Sequence, residues 1–275
     1  METYENLTKE LKKMTIRPER EEIGEVLEVK DGVVKIIGLE NVENFEMIKF
    51  ERTNVEGVVL NLEEDRVGAI VLGDFSKIKT GDIVKRGRKI LSVPVGEKMV
   101  GRVIDPLGNP LDGKGEIEAD DFFPIEKIGP SVVEREPVNF PLHTGIKIID
   151  ALIPIGRGQR ELFLGDRGTD KGLWALTIIL NQKKEPKRPI CIYVAIGKKE
   201  AEIARIYEML KKEGALEYTI LVSASASAPV AFWYLAPYSG CAQGEYFMEK
   251  GKDALVIYDD LTNHAFAWRQ IALIL

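Results

Sequence analysis

Six short runs rich in β-branched residues, at residues 24–29, 33–37, 45–50, 57–62, 69–72 and 89–93, follow one another with turn residues between them. None carries the 3.6-residue periodicity of an amphipathic helix, so residues 23–95 are expected to form an all-β domain with no helix longer than two turns. Between the first two runs, Lys30-Asp31-Gly32 is a hairpin signal. A primed turn needs positive φ, which Asp tolerates and which costs Gly nothing. An open sheet of such strands would expose two edges, and closure removes them. A small closed β-barrel is the expected form.

The texture differs on either side of this region. In residues 1–22, Leu7, Leu11 and Met14 share one face of a short amphipathic helix that Pro18 stops, which reads as a helical tail for docking on a partner. No apolar targeting core precedes it and acidic residues are frequent, so neither a secretory signal nor an acid-poor transit peptide fits. Beyond the barrel, Pro106, Gly108, Pro110, Gly113 and Gly115 make the stretch DPLGNPLDGKG a dense turn region, read as the crossing between domains. An α/β rhythm follows within residues 96–275. Strands are expected at 160–164, 190–195, 219–223 and 254–258, with helices at 173–183, 200–212 and 231–250. Strands that alternate with helices imply right-handed crossovers and a mostly parallel sheet.

Composition excludes several functions. Hydrophobic residues are 45% and charged residues 30% of the 275, and no apolar run approaches the roughly 20 residues of a membrane helix. The formal net charge of −6 is the wrong sign for a protein whose main task is to coat nucleic acid. The only cysteines, Cys191 and Cys241, supply neither a disulfide framework nor a thiolate cluster.

The segment Glu161-Leu162-Phe163-Leu164 leads into Gly165, Asp166, Arg167, Gly168, Thr169, Asp170, Lys171 and Gly172, and then into an apolar helix. This is the strand–loop–helix context of a phosphate loop, whose full pattern is G-x-x-x-x-G-K-[ST]. Gly165 and Lys171 match it. Asp170 stands at the second Gly position and Gly172 at the hydroxyl position, so a carboxylate faces the phosphates and a magnesium ligand is missing. Lys171 could pair with Asp170 instead of a phosphate. Further on, Ala254 to Asp260 form an apolar run ending in two carboxylates, a Walker B form that puts Asp259 at the carboxyl end of its strand as a candidate magnesium ligand. His143 and His264 carry no local triad signature, and Phe232, Trp233, Tyr234 and Tyr238 read as core or interface. Residues 223–229, small and polar, suit a loop at a strand's carboxyl end that approaches a ligand or a neighbour.

The strings GRVIDPLGNPLDGKG, LHTGIKIIDALIPIGRGQRELFLGDR, CIYVAIGKK, YLAPYSGCAQGEYF and ALVIYDDL closely resemble the alpha subunit of the F-type ATP synthase from about Ile23 to the last residue. The resemblance implies a β-barrel followed by a RecA-like P-loop domain, incomplete at the C-terminus and without the family's helical C-terminal domain. It also implies a subunit that bears a nucleotide site for ATP or ADP with Mg but no catalytic residue. Its implied partners are beta-type catalytic subunits in an alternating hexamer and a central-stalk subunit. The implied location is the cytoplasmic face of a bacterial inner membrane, with contact to the membrane only through the complex. The family loop reads GDRQTGKT, so Gly168, Asp170 and Gly172 depart from it. The position of the water-activating Glu of the beta paralogue, Gln in alpha subunits, is Lys198 here, and a cation cannot serve as that base.

Other readings remain open at this level. Asp170 and Gly172 count against nucleotide binding and favour a vestigial or structural alpha-like module. A hexameric RNA-translocating ATPase can also join a small barrel to a RecA-like domain, but the acidic balance and Lys198 speak against it. The apolar run at residues 271–275 ends in mid-element, which reads as a fragment or truncated product with uncovered apolar surface.

Overall fold

The structure is a computed structural model that describes residues 21–275 apart from Arg167. The helical tail expected before Ile23 lies outside the described residues. Six antiparallel strands, β1 (Ile23–Lys30), β2 (Val33–Ile37), β3 (Glu46–Phe50), β4 (Glu56–Leu62), β5 (Val67–Val71) and β6 (Ile83–Ile90), close into a barrel in the order β1-β2-β5-β4-β3-β6. The β1–β2 turn forms as the Asp-Gly pair requires, with Asp31 at φ 45° and Gly32 at φ 82°. Val26, Ile36, Ile48, Phe50, Val59 and Val84 fill the interior. Among the described residues of this region the only helical turn is a 3-10 turn at Phe75–Lys77.

One barrel strand differs from expectation. The sixth run, at 89–93, was expected to close the barrel, whereas β6 begins at Ile83 and reads IVKRGRKI. Its Lys85 and Arg86 are balanced by carboxylates in or beside β1 and β3, which helps so polar a sequence hold a ladder position. Arg86 donates to Glu46 at 2.9 and 2.7 Å and to Glu22 at 2.9 Å, and Lys85 lies 2.8 Å from Glu21 and 3.1 Å from Glu51. The chain then leaves the barrel, and β7 (Ser92–Val95) pairs with β9 (Asp121–Pro124).

The second region is built on a four-stranded parallel sheet in the order β14-β12-β13-β8, from β8 (Val103–Ile104), β12 (Ile190–Lys198), β13 (Thr219–Ser225) and β14 (Ala254–Asp259). A two-stranded ladder, β10 (Pro141–Leu142) with β11 (Ile155–Gly156), flanks the short helix α1 (Lys147–Leu152). Four longer helices follow: α2 (Lys171–Asn181), α3 (Glu200–Lys212), α4 (Val230–Glu249) and α5 (Leu261–Ala272). The two-residue period of β12 sorts its side chains. Cys191, Tyr193 and Ala195 join a cluster with Leu176 and Ile179 of α2 and Ile206 of α3, while Ile192, Val194 and Ile196 pack with Leu235 and Phe247 of α4.

Two expectations in this region are corrected. Residues 160–164 do not form a strand: β14 bonds only to β12, and the segment leading into the loop finds no ladder, leaving Leu162 and Leu164 exposed. Its start is tethered through Arg157, which donates to the Lys187 carbonyl at 2.7 Å and pairs with Asp253. The turn-rich crossing is also more than a linker, because it contributes β8 to the sheet and is held by side chains. Asp105 accepts from the Leu107 and Asn109 amides, each at 2.8 Å. Hydrogen bonds from Arg102 to Asp112, at 2.6 and 2.8 Å, outweigh the cost of burial and hold that carboxyl down to about 2. At the chain's end Ile271 is buried and Leu275 lies against Gly68 of the barrel, so of the large side chains in the apolar run only Leu273 stands well exposed.

Helix α4 lies on the sheet through glycines one turn apart. A Cβ at Gly240 would stand 2.3 Å from Val194 Cγ2, and one at Gly244 2.8 Å from Val256 Cγ2. Gly240→Ala gains about 1 kcal/mol of helix propensity but overpacks a filled core, at a cost of about 1–3 kcal/mol. The overpacking is expected to prevail because Val194 is fully buried. The urea midpoint should therefore fall for Gly240→Ala and stay unchanged for Gly129→Ala, whose Cβ meets nothing; an unchanged Gly240→Ala midpoint refutes this packing. Protease cuts are expected within residues 126–140, where Ile128, Val132 and Val133 are almost fully exposed, rather than within the bonded turns at 105–115. Mass mapping of early fragments checks this.

Candidate functional site

Parallel strands bring their carboxyl ends to one side of a sheet, where open α/β folds bind their ligands. Ala195 of β12 is paired with Asp259 of β14, so Lys198, three residues further on, emerges beside that carboxylate. The Asp259 side chain is nearly buried and both of its oxygens are engaged. Lys198 Nζ lies 3.1 Å from Oδ1, and the Tyr193 hydroxyl donates to Oδ2. Glu202, on the first turn of α3, holds the same ammonium at 2.9 Å. Burial opposes the Lys198 charge, but the Glu202 hydrogen bond and Asp259 together raise its pKa above the ordinary lysine value. Burial and the Asp259 charge push the Tyr193 phenol up as well, which keeps it a donor.

The loop stands against this carboxylate. A Cβ at Gly172 would lie 3.0 Å from Asp259 Oδ2, so the start of α2 and the end of β14 meet as the two sequence motifs require. Asp170 precedes α2 in the left-handed region, at φ 49° and ψ 38°, with no side-chain bond to the helix. That is the conformation a Gly at this motif position would supply freely, and Asp is among the few residues that tolerate it. Lys171 does not pair with Asp170 among the described ion pairs. It folds back to donate to the carbonyls of Gly165 at 2.6 Å and Asp166 at 3.0 Å. Thr169 donates to the Asp166 carbonyl at 2.7 Å, and Gly168, at φ 82°, has open space above it. Arg167 lies outside the described residues.

These residues do not fit a magnesium ion. Gly172 has no side-chain oxygen to offer, the Thr169 hydroxyl is turned to the backbone, and Asp259 is already bonded to an ammonium and a phenol. No group of three or more potential metal ligands occurs among the described residues. Asp260 is committed to capping α5 through the Asn263 amide at 3.0 Å. The site does present loop amides, a lysine that can be released from two carbonyls, and a second lysine at the strand ends.

Other sequence candidates lie elsewhere. His143 is exposed, 3.1 Å from Glu185. His264 is half-buried and stacks on Tyr234 at 5.8 Å, and desolvation lowers its pKa. Ser223 and Ser225 line a cavity of about 530 Å³ with Asp105, Asp112, Glu200 and Phe232, beside β8 rather than beside Asp259. Tyr193 and Glu202 were not among the residues expected from sequence. The spacing of Lys198 and Glu202 is a visible signal, but the 66 residues between Tyr193 and Asp259 conceal their contact.

A closed barrel joined to a parallel sheet with a glycine-bounded loop at its carboxyl edge defines a barrel-plus-α/β protein of the nucleotide-binding class. The family models for the ATP synthase alpha/beta family match this chain in its β-barrel domain, residues 20–87, and in its nucleotide-binding domain, residues 145–275, and the chain belongs to that family. Its relatives include ATP synthase subunit alpha of Petrotoga mobilis, 55% identical over 94% of this chain and 51% of the relative. Those of Aquifex aeolicus, 54% identical over 100% and 54%, and of Dehalococcoides mccartyi, 56% identical over 92% and 50%, are equally similar. The chain spans about half the length of these curated relatives. No helix among the described residues is long and apolar enough to cross a membrane.

Asp170→Gly removes a carboxylate from the loop and relaxes a positive φ. Affinity for ADP is expected to rise at least tenfold, about 1.4 kcal/mol. A like charge about 4 Å from one phosphate costs on the order of 4 kcal/mol at an effective dielectric of 20, and exposure reduces that figure. Calorimetric titration measures the change, and equal affinities for the two proteins would show that the loop holds no phosphate.

Proposed function

We propose that this chain is a non-catalytic, nucleotide-site-bearing alpha-type subunit of a rotary proton-translocating ATP synthase, contributing to ATP synthesis through an alternating assembly with beta-type subunits. One observation carries the non-catalytic part. At the end of β12, where hydrolysis would need a carboxylate to activate water, Lys198 stands in an ion pair with Asp259. A bound ammonium has no lone pair with which to accept a proton. The nucleotide site is placed at Gly165, Asp166, Arg167, Gly168, Thr169, Asp170, Lys171 and Gly172, and ATP or ADP is its ligand. This is supported by the meeting of Gly172 with Asp259 and by the family's nucleotide-binding domain.

The partners in this reading are beta-type subunits and a central-stalk subunit, and the location is a peripheral complex on the cytoplasmic face of a bacterial inner membrane. A second reading, a structural alpha-like module without nucleotide, is favoured by Asp170 in the loop and by the bonds that tie Lys171 to its own backbone. The two readings separate in one experiment on the purified chain. ADP binding that is lost on Lys171→Ala, with phosphate release from ATP no faster than a buffer blank, is the expected result. Turnover abolished by Lys171→Ala would overturn the non-catalytic role. Failure of the folded wild type to bind ADP would leave the structural module.

A further inference from the structure

We infer that Lys198 is the resident cation of Asp259, so that this site excludes a divalent metal and takes its nucleotide as the free anion rather than as a metal complex. The second half of the proposal rests on the nucleotide-binding reading above; the first half does not.

Asp259 is nearly buried at the end of β14, and its two oxygens are taken by different donors: Oδ1 by Lys198 Nζ at 3.1 Å and Oδ2 by the Tyr193 hydroxyl. Neither donor is loosely held. Tyr193 is fully buried within β12, and the Lys198 side chain is only 14% exposed and fixed a second time by Glu202 at 2.9 Å. Magnesium demands near-octahedral oxygen ligands at about 2.0–2.1 Å and gives up its water reluctantly. To enter, it would have to displace the phenol or stand a few ångströms from an ammonium. It would receive nothing from position 172, which carries no side chain.

The ammonium meets the requirement that a metal would otherwise meet. It neutralises Asp259 beside the helix start where phosphate charge would accumulate. Of its three N–H bonds, two serve Glu202 and Asp259, which leaves one for a phosphate oxygen. A buried carboxylate without a cation would repel an incoming phosphate, and Lys198, shared with the more exposed Glu202, weakens that repulsion without a cofactor.

Bound Mn²⁺, counted by electron paramagnetic resonance on the purified chain with and without ADP, tests the proposal; thermal melts followed by circular dichroism establish that each variant is folded. Wild type and Asp259→Asn are expected to bind the same number of Mn²⁺ ions. Lys198→Gln should gain one site that disappears in the double variant with Asp259→Asn, whereas Lys198→Arg, which keeps the charge, should match the wild type. A wild-type site lost on Asp259→Asn, or a folded Lys198→Gln with no added site, overturns the inference. In calorimetry the wild-type affinity for ADP should agree within threefold between EDTA and excess Mg²⁺. Tightening of tenfold or more by Mg²⁺ overturns the second half. Absence of ADP binding in both buffers refutes the nucleotide-binding reading and with it the second half, while the Mn²⁺ counts without ADP still decide the role of Lys198.

Discussion

A strand buried on both faces can carry polar chemistry only at its ends, and β12 imposes that constraint on the nucleotide-binding region. From Cys191 to Ile196 every residue is buried, with α2 and α3 on one side and α4 on the other. The one hydroxyl inside this run, on Tyr193, needs an acceptor, because a buried polar group left unpaired costs on the order of 1–3 kcal/mol. The acceptor is Asp259 of the adjacent strand, and Lys198, two residues beyond the buried run, pairs with the same carboxylate. Parallel pairing with β14 is therefore tied to the site: the register that pairs Ala195 with Asp259 also brings the phenol, the carboxylate and the ammonium together.

The barrel is joined to this sheet by a packed junction rather than a loose tether: Val33, Val58, Ile70 and Leu72 share one buried apolar cluster with Leu235 of α4 and Ile271 of α5, and hydrogen bonds from α4 add to it. Gln243 of α4 donates to the Pro94 carbonyl at 2.7 Å, and the Tyr246 hydroxyl donates to Asp120 at 2.8 Å. Asp120 also accepts from the Glu97 amide at 2.8 Å, so the β7–β9 ladder and α4 share one carboxylate. Gly108 must stay small here, since a Cβ would lie 2.2 Å from Pro94 Cγ and its φ of 87° already favours glycine. Leu275 rests on the barrel from the other region.

What was legible in the sequence follows the range of the interactions involved. The Asp31-Gly32 turn, helix α3 at Glu200–Lys212 and the cores of β12, β13 and β14 depend on nearby residues, and they were read correctly to within a few residues at their ends. Strand β6 was missed because its Lys85 and Arg86 are balanced by Glu46, Glu22, Glu21 and Glu51, which sequence places at a distance. Residues 160–164 have the apolar content of a strand, but a strand is defined by its ladder, and composition does not supply a partner. The turn residues of 105–112 were recognised as turns; that Asp105 and Asp112 fasten them beside β8 depends on Arg102 and on backbone amides whose direction no composition reveals. The meeting of loop and Walker B segment was foreseen from spacing, whereas the part played by Tyr193 was not.

Asp170 shows how the form of a loop can outlast its chemistry. The backbone there requires a left-handed residue, at a cost of roughly 1–2 kcal/mol for most side chains, and glycine avoids that cost. Asp meets the requirement better than most alternatives because it tolerates positive φ. The start of α2 can therefore keep its place against Asp259 while the side chain at position 170 opposes phosphate charge. Lys171 donates to the carbonyls of Gly165 and Asp166 and so ties the start of α2 to the start of the loop. Position 170 is constrained by backbone geometry and the charge of the site by side chains, and the two constraints are separable. The shape of this loop alone conceals the charge at position 170, and its motif residues alone conceal the left-handed turn there and the approach of Gly172 to Asp259.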